Sequence, residues 1–145
     1  MSAPLDLAPR AAVAALSALG VLHLVWATGS SWPLPDTDEW AGAVSGRPPG
    51  QNPGPVACVT VAALLGTAAA LVGGHPRSRP GVSRLGSAGV VATFMLRGAL
   101  GLAGRTDLVS PGSTSARFRA ADRRLYGPLC LAIAATALPA VTRSS

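Results

Sequence analysis

The sequence predicts an all-α fold, an integral membrane four-helix bundle in which one chain crosses the bilayer four times. Only 12% of the 145 residues are charged and 49% are hydrophobic, whereas charged residues make up about 25% of an ordinary soluble domain. The apolar residues fall into four stretches, each close to the roughly 20 residues that a helix needs to cross a hydrocarbon core. We expect residues 1–145 to form a single membrane domain.

The net charge of +6 comes from arginine alone, because the chain contains no lysine. A strongly basic chain often binds nucleic acid. Here the arginines lie between the apolar stretches rather than along one face of a soluble fold. We therefore expect no nucleic acid partner and expect the lipid bilayer to be the main surroundings of the chain.

The first predicted span covers residues 9–28. It is almost wholly apolar, and Pro9 suits the first turn of a helix. A cleaved signal peptide is the alternative, with residues 11–22 as its hydrophobic core. Its positively charged N-terminal region would be weak, since Asp6 opposes Arg10. The sequence therefore favours a retained membrane span.

The remaining predicted spans cover residues 55–74, 82–104 and 125–142. The second span carries no charge, and the fourth is short, with Pro139 in its last turn. A proline-rich loop at 29–54 precedes the second span, a tight turn at 75–81 follows it, and a second long loop covers 105–124. Proline and glycine at these places interrupt any continuous helix.

Four crossings place successive loops on alternating sides of the membrane. The 29–54 and 105–124 loops therefore share one side, and the two termini share the other side with the 75–81 turn. Arg77 and Arg79 lie in that short turn, where positive charge favours the cytoplasmic side. We expect a protein of the bacterial cytoplasmic (inner) membrane with both termini in the cytoplasm.

Polar and aromatic side chains gather in one shallow layer beneath the side of the two long loops. At about 1.5 Å per helical residue, His23 and Arg97 lie roughly 7–10 Å below that surface. The other face of the bundle offers no comparable set. The layer is a candidate binding pocket, and its predicted members are His23, Trp26, Trp32, Arg97, Asp122, Tyr126 and Cys130.

One stripe of this layer follows helical spacing: Phe118, Asp122, Tyr126 and Cys130 recur every four residues. A helix that starts near Phe118 presents all of them to one neighbour. A charge within a span usually turns toward the bundle and a partner, and Asp122 is the nearest candidate partner for Arg97. The alternative is that the long arginine stem carries its head out to the interface.

Each of the other candidates also has a purely structural interpretation. His23 is also typical of a neutral, hydrogen-bonded packing residue. The three tryptophans are also typical of an aromatic belt at the membrane interface. Cys58 and Cys130 form no CxxC pair and suit small buried apolar positions. The arginines of residues 117–124 suit contact with solvent or with lipid headgroups. The pattern predicts no metal site.

Small residues are expected to bring the helices together, because the hydrophobic effect does not join helices inside lipid. The second span offers Gly66 with Ala70. The third span offers a series of glycines at Gly86, Gly89, Gly98, Gly101 and Gly104. The alternative is that alanine and glycine merely reflect a GC-rich coding bias.

Three motifs in chain order resemble a bacterial family of small four-span membrane proteins, catalogued as domain of unknown function 3995. The first is H-x-x-W-A-x-G-S-x-W-P, from His23 to Pro33. The second is L-R-G at residues 96–98, and the third is F-x-x-x-D-x-x-x-Y-x-P-L-C-L, from Phe118 to Leu131. Gly127 stands where the family leads us to expect serine. The resemblance implies four spans and brings no activity, cofactor or ligand with it.

Three function classes remain open on these observations. The preferred hypothesis is a non-enzymatic membrane protein that binds a lipid, a small amphiphile or a membrane protein partner in the polar pocket. The second is a membrane redox enzyme that uses Cys58 and Cys130, with a nearby arginine favouring a thiolate. The third is a small transporter or proton-conducting subunit built on the intramembrane histidine and the Arg–Asp pair. The sequence names no cofactor and leaves open whether the protein is an enzyme.

Overall fold

The computed structural model describes residues 3–113 and 115–142, with the backbone alone at 3–6. Its helices are α1 (Ala3–Ala27), α2 (Thr37–Trp40), α3 (Pro55–Val72), α4 (Pro80–Leu102), α5 (Thr106–Val109), α6 (Ala116–Ala121), α7 (Gly127–Ala137) and α8 (Pro139–Thr142). Two π-helical turns extend them, Ala41–Ser45 after α2 and Asp122–Tyr126 between α6 and α7. No strand occurs in the described part of the chain, so the all-α prediction is confirmed.

Four helical segments are long and apolar enough to cross a membrane: Leu7–Ala27, Pro55–Val72, Pro80–Leu102 and Ala116–Thr142. They match the four predicted spans in number and order. The chain is therefore a multi-pass membrane protein by the length and composition of its helices.

The predicted bounds differ from the observed ones by more than two residues at two places. Helix α1 begins at Ala3, so that Pro9 lies within it rather than in its first turn. The last helical segment begins at Ala116 instead of at residue 125, because Ser115 caps it: the Ser115 hydroxyl accepts a hydrogen bond from the Phe118 N–H at 3.3 Å. The arginine-rich start of this helix was predicted as part of a loop.

The four long helices form a ring in which each contacts two neighbours. Helix α1 packs against α3 and α7, and α4 packs against the same two helices. Thus α1 lies across the ring from α4, and α3 lies across it from α7. The space between them is filled by a core that includes Ala12, Leu16, Val72, Ile133 and Ala137.

Helices α4 and α7 approach closely because glycine lacks a side chain at their crossing. A Cβ atom on Gly98 would lie 2.8 Å from the carbonyl oxygen of Gly127 and 2.7 Å from the Leu131 side chain. A Cβ atom on Gly127 would lie 3.2 Å from the carbonyl oxygen of Gly98. The packing role predicted for the third-span glycines is confirmed at this crossing.

The same prediction is wrong at two other glycines. Gly66 of α3 and Gly89 of α4 have nothing within 4 Å of an added Cβ atom. Gly86 does pack closely, against the Leu71 side chain of α3. The spacing of glycines along a helix therefore does not reveal which of them face a neighbour.

The two long loops pack against each other at one end of the bundle. The Tyr126 hydroxyl donates a hydrogen bond to the Ala43 carbonyl at 2.9 Å, and the Ser110 hydroxyl donates one to the Ser45 carbonyl at 3.3 Å. An exposed Arg117–Glu39 ion pair at 3.5 Å joins the same two segments. The prediction that both loops share one side is confirmed.

Candidate functional site

A buried carboxylate ties three helical segments together at the loop end of the bundle. Asp122 is fully buried, and its Oδ1 atom lies 2.6 Å from Nη2 of Arg97 on α4. The buried Thr106 hydroxyl of α5 donates a hydrogen bond to the other carboxylate oxygen, Oδ2, at 3.1 Å. The predicted Arg97–Asp122 pair is confirmed, and the alternative in which Arg97 reaches out to the interface is wrong.

The ion pair leaves little room around itself. The Arg97 side chain is 25% exposed, and a Cβ atom on Gly101 would lie 3.0 Å from both Arg97 Nη1 and Asp122 Oδ1. Among the described residues, Nη1 has no hydrogen-bond partner, and the short Nη2–Oδ1 contact lacks the alignment of a hydrogen bond. The pair therefore serves as an electrostatic clamp between α4 and the last helical segment.

One cavity at this end of the molecule lies beside α1 and α3. It has a volume of about 240 Å³ and is named here the α1–α3 pocket. Helix α1 contributes His23 and Trp26, the 29–54 loop contributes Trp40 and Arg47, and α3 contributes Cys58. Its further lining residues are Val44, Ser45, Pro53, Ala57, Val61 and Ser110.

Three aromatic rings in a row form one wall of the α1–α3 pocket. His23 and Trp26 meet edge to face with ring centroids 4.9 Å apart, and Trp26 meets Trp40 in the same way at 5.3 Å. The Trp26 indole N–H donates a hydrogen bond to the Trp32 carbonyl at 2.7 Å. Each ring is thereby held by the next, which fixes the shape of the wall.

The tautomer of His23 follows from its own hydrogen bond. Its Nδ1 atom lies 2.8 Å from the Leu19 carbonyl oxygen, and a carbonyl can only accept, so Nδ1 carries the proton. In the neutral ring Nε2 is then left as an acceptor. The packing interpretation of His23 and its use in a pocket are therefore compatible, because each uses a different ring nitrogen.

Trp40 and Arg47 are pocket residues that the sequence prediction missed, and Trp40 is the more buried of the two. It is buried at 6% exposure, and its indole N–H has no hydrogen-bond partner in the described part of the chain. Asp36 caps the short helix that carries it, accepting hydrogen bonds from the N–H groups of Asp38 at 3.0 Å and Glu39 at 2.8 Å. An acid followed three residues later by glutamate is a helix-start signal that could have located this element.

The seven predicted pocket residues occupy different places in the structure. His23 and Trp26 line the α1–α3 pocket, whereas Arg97 and Asp122 form the clamp. Tyr126 fastens the 29–54 loop through its hydroxyl, and the Trp32 side chain is 64% exposed. Cys130 lies on α7, on the clamp side of the ring.

Both cysteines are free thiols. Cys58 is buried in the wall of the α1–α3 pocket, and Cys130 is half-buried. They belong to α3 and α7, which lie across the helix ring from each other. Across residues 3–113 and 115–142 no group of three or more His, Cys, Asp or Glu side chains could hold a metal ion.

Comparison with known proteins identifies a family and no activity. No curated protein and no solved structure matches the chain. A family model described as "Protein of unknown function (DUF3995)" matches residues 16–137. This match covers all four spanning segments in part or whole, together with the α1–α3 pocket and the clamp. The chain therefore belongs to the DUF3995 family of proteins of unknown function.

Proposed function

We propose that the protein is a non-enzymatic membrane protein that binds a single-chain amphiphile. The polar head occupies the α1–α3 pocket, and the apolar chain lies in an adjoining groove between α3 and α4. The observation that carries the proposal is that Val61 lines both the pocket and the groove. The two cavities are therefore neighbours on α3, and the proposal treats them as one binding site.

The groove, named here the α3–α4 groove, has a volume of about 400 Å³. Its α3 wall runs from Val61 to Leu71, a distance of about 15 Å at the rise of an α-helix. Gly86 and Gly89 leave part of the α4 wall without side chains, and Val90, Thr93 and Phe94 form the rest of it. These dimensions suit one acyl chain of medium length rather than a two-chain lipid.

The polar end of the pocket suits a head with hydrogen-bond acceptors. Arg47 forms no ion pair within the described ranges, and its guanidinium is a strong donor to a carboxylate or phosphate. The Trp40 indole N–H in the same wall has no hydrogen-bond partner among the described residues but is shielded from solvent. A ligand head gains this second donor only through a small shift of the ring, which would recover the cost of about 1–3 kcal/mol of an unpaired buried donor. A fatty acid is the simplest molecule with this combination.

The two alternative functions lack comparable support. A redox enzyme based on Cys58 and Cys130 needs the two thiols to meet, and they lie on helices across the ring from each other. A transporter or proton-conducting subunit needs a polar path across the bundle. Toward the opposite end the buried polar side chains of α4, Ser83 and Ser87, donate to the Pro80 and Leu71 carbonyls and are therefore engaged in helix packing. A membrane protein partner stays a prediction that no observation favours.

We also infer that the protein resides in the bacterial cytoplasmic membrane with both termini in the cytoplasm. The support is the distribution of arginine: Arg77 and Arg79 lie in the short turn between α3 and α4, where positive charge retains a loop in the cytoplasm most effectively. The α1–α3 pocket then faces the outer leaflet of that membrane.

Filling the pocket tests the proposal directly. Ala57 and Ala63 are both exposed positions of α3, and Ala57 lines the pocket whereas Ala63 lines neither the pocket nor the groove. We expect Ala57→Phe to weaken binding of a dansyl-labelled medium-chain fatty acid at least about tenfold, a loss of roughly 1.4 kcal/mol. Ala63→Phe should bind like the wild type. The readout is energy transfer from tryptophan to dansyl in nanodiscs, corrected with empty nanodiscs.

A second pair of variants tests the groove. Gly89 and Gly66 both have free space for a side chain, and Gly89 alone of the two lines the groove. We expect Gly89→Leu to reduce the affinity for a long-chain fatty acid while sparing a short-chain one, and Gly66→Leu to change neither. Equal binding by wild type, Ala57→Phe and Gly89→Leu would refute the proposed function.

A further inference from the structure

Three arginines surround a separate cleft on the other side of the bundle. The cleft, named here the arginine cleft, has a volume of about 310 Å³ and is lined by Gly104, Arg119, Ala120, Arg123 and Arg124. It lies between the end of α4 and the segment formed by α6 and the following π-helical turn. It shares no lining residue with the α1–α3 pocket or the α3–α4 groove.

The positive charge of this cleft has no internal compensation. The ion pairs found among the described residues are Arg97–Asp122, Arg105–Asp107 and Arg117–Glu39, and none of them involves a cleft arginine. Arg119 and Arg123 are four residues apart on one helical segment, a spacing at which like charges repel. A bound anion would relieve that repulsion.

The shape of the cleft brings a guanidinium close to bare backbone. Gly104 lies just after the C-terminus of α4 with φ of +73°, and an added Cβ atom would lie 2.5 Å from Arg123 Nη2. The planar fork of arginine binds two phosphate oxygens at once. The cleft thus offers several such forks around a space large enough for a phosphate group.

The depth of the cleft indicates where the phosphate comes from. Gly104 lies two residues after the end of the spanning segment at Leu102, which places the cleft at the level of lipid headgroups. We propose that the arginine cleft binds the phosphate of an anionic phospholipid at the edge of the bundle. This site is independent of the amphiphile pocket, so either proposal can fail without the other.

The test measures which lipids the protein selects. Wild type is purified from nanodiscs that contain equal amounts of phosphatidylglycerol and phosphatidylcholine, and the retained lipids are quantified by mass spectrometry. We expect several-fold enrichment of phosphatidylglycerol in the wild type and its loss in the Arg123→Gln/Arg124→Gln variant. The matched control, Arg77→Gln/Arg79→Gln, removes the same charge at the opposite end and should retain the enrichment.

Two further arms separate the possible explanations. An Arg123→Lys/Arg124→Lys variant keeps the charge and loses the planar guanidinium groups, so it should show reduced enrichment of phosphatidylglycerol. Full enrichment would mean a diffuse charge effect and would overturn the proposal of a specific phosphate site.

Inorganic phosphate should fail to displace the lipid or to raise the midpoint of thermal unfolding in detergent. If phosphate alone does both, the site is a soluble-phosphate site and the lipid assignment is wrong. Absence of enrichment in the wild type overturns the proposal outright.

Discussion

At the scale of single residues, Asp122 determines how the loop end of the bundle is held. A carboxylate that is fully buried is expensive unless it is paired and hydrogen-bonded. Here Arg97 supplies the charge and Thr106 supplies a hydrogen bond to the second oxygen. Arg97 belongs to α4 and Thr106 to α5. The interactions that offset the cost of burying Asp122 therefore also hold α4, α5 and the last helical segment together.

Thr106 is the member of this group that can be altered with the least change of shape. Thr106→Val keeps the volume and removes the donor, and a hydrogen bond to a charged group contributes about 1.5–3 kcal/mol. We expect the variant to lose about 2 kcal/mol of stability, measured as a lower midpoint of thermal unfolding with a thiol-reactive dye that reports exposure of the cysteines. Thr106→Ser keeps the hydroxyl and should lose less. A valine variant as stable as wild type would show that Asp122 does not depend on this donor.

At the scale of elements, the crossing of α4 and α7 depends on which glycines face the partner helix. Gly98 abuts a backbone carbonyl oxygen that cannot rotate away, whereas Gly89, on the same helix, faces open space. The sequence identifies both as small residues, but it does not show which of them faces a neighbouring helix. The rotation of a helix about its own axis is determined by its contacts with other helices. A membrane span of glycine, alanine and leucine has no strongly polar face from which that rotation can be predicted.

The two glycines therefore make a matched pair for a stability measurement. Gly98→Ala places a methyl group against the Gly127 carbonyl and Leu131, and forcing extra volume into a packed contact typically costs about 1–3 kcal/mol. Gly89→Ala meets no obstacle and should be neutral or stabilising by up to about 1 kcal/mol, from helix propensity alone. Equal unfolding midpoints for the two variants in detergent would contradict the close crossing.

At the scale of the whole molecule, the features that follow from composition were predicted and those that depend on loop packing were not. The spans were predictable because a segment in lipid must be apolar throughout and satisfy its own backbone. The Arg97–Asp122 pair was predictable because an intramembrane charge requires a partner. Trp40 and Thr106 were missed because α2 and α5 are short helices whose positions depend on contacts between the two long loops.

The packing of those two loops leads to a prediction about the topology of the molecule in its membrane. Gln51 and Pro111 are exposed residues of the two loops, and Ser78 is exposed in the turn between α3 and α4. In a background with Cys58→Ala and Cys130→Ala, we expect cysteines at positions 51 and 111 to react with a membrane-impermeant maleimide from the same side. A cysteine at position 78 should react only from the other side, the cytoplasmic one under the proposed orientation.

The labelling tests two predictions separately: that the two long loops share one side of the membrane, and that this side is not the cytoplasmic one. Reaction of positions 51 and 111 from opposite sides would contradict the hydrogen bonds between Tyr126 and Ala43 and between Ser110 and Ser45, and with them the pocket that the 29–54 loop covers. Reaction of position 78 from outside the cell would leave the bundle and the pocket intact and reverse the orientation alone. In that case the orientation would be set by the six arginines on the side of the long loops, which would keep that side in the cytoplasm. They are Arg47, Arg105, Arg117, Arg119, Arg123 and Arg124.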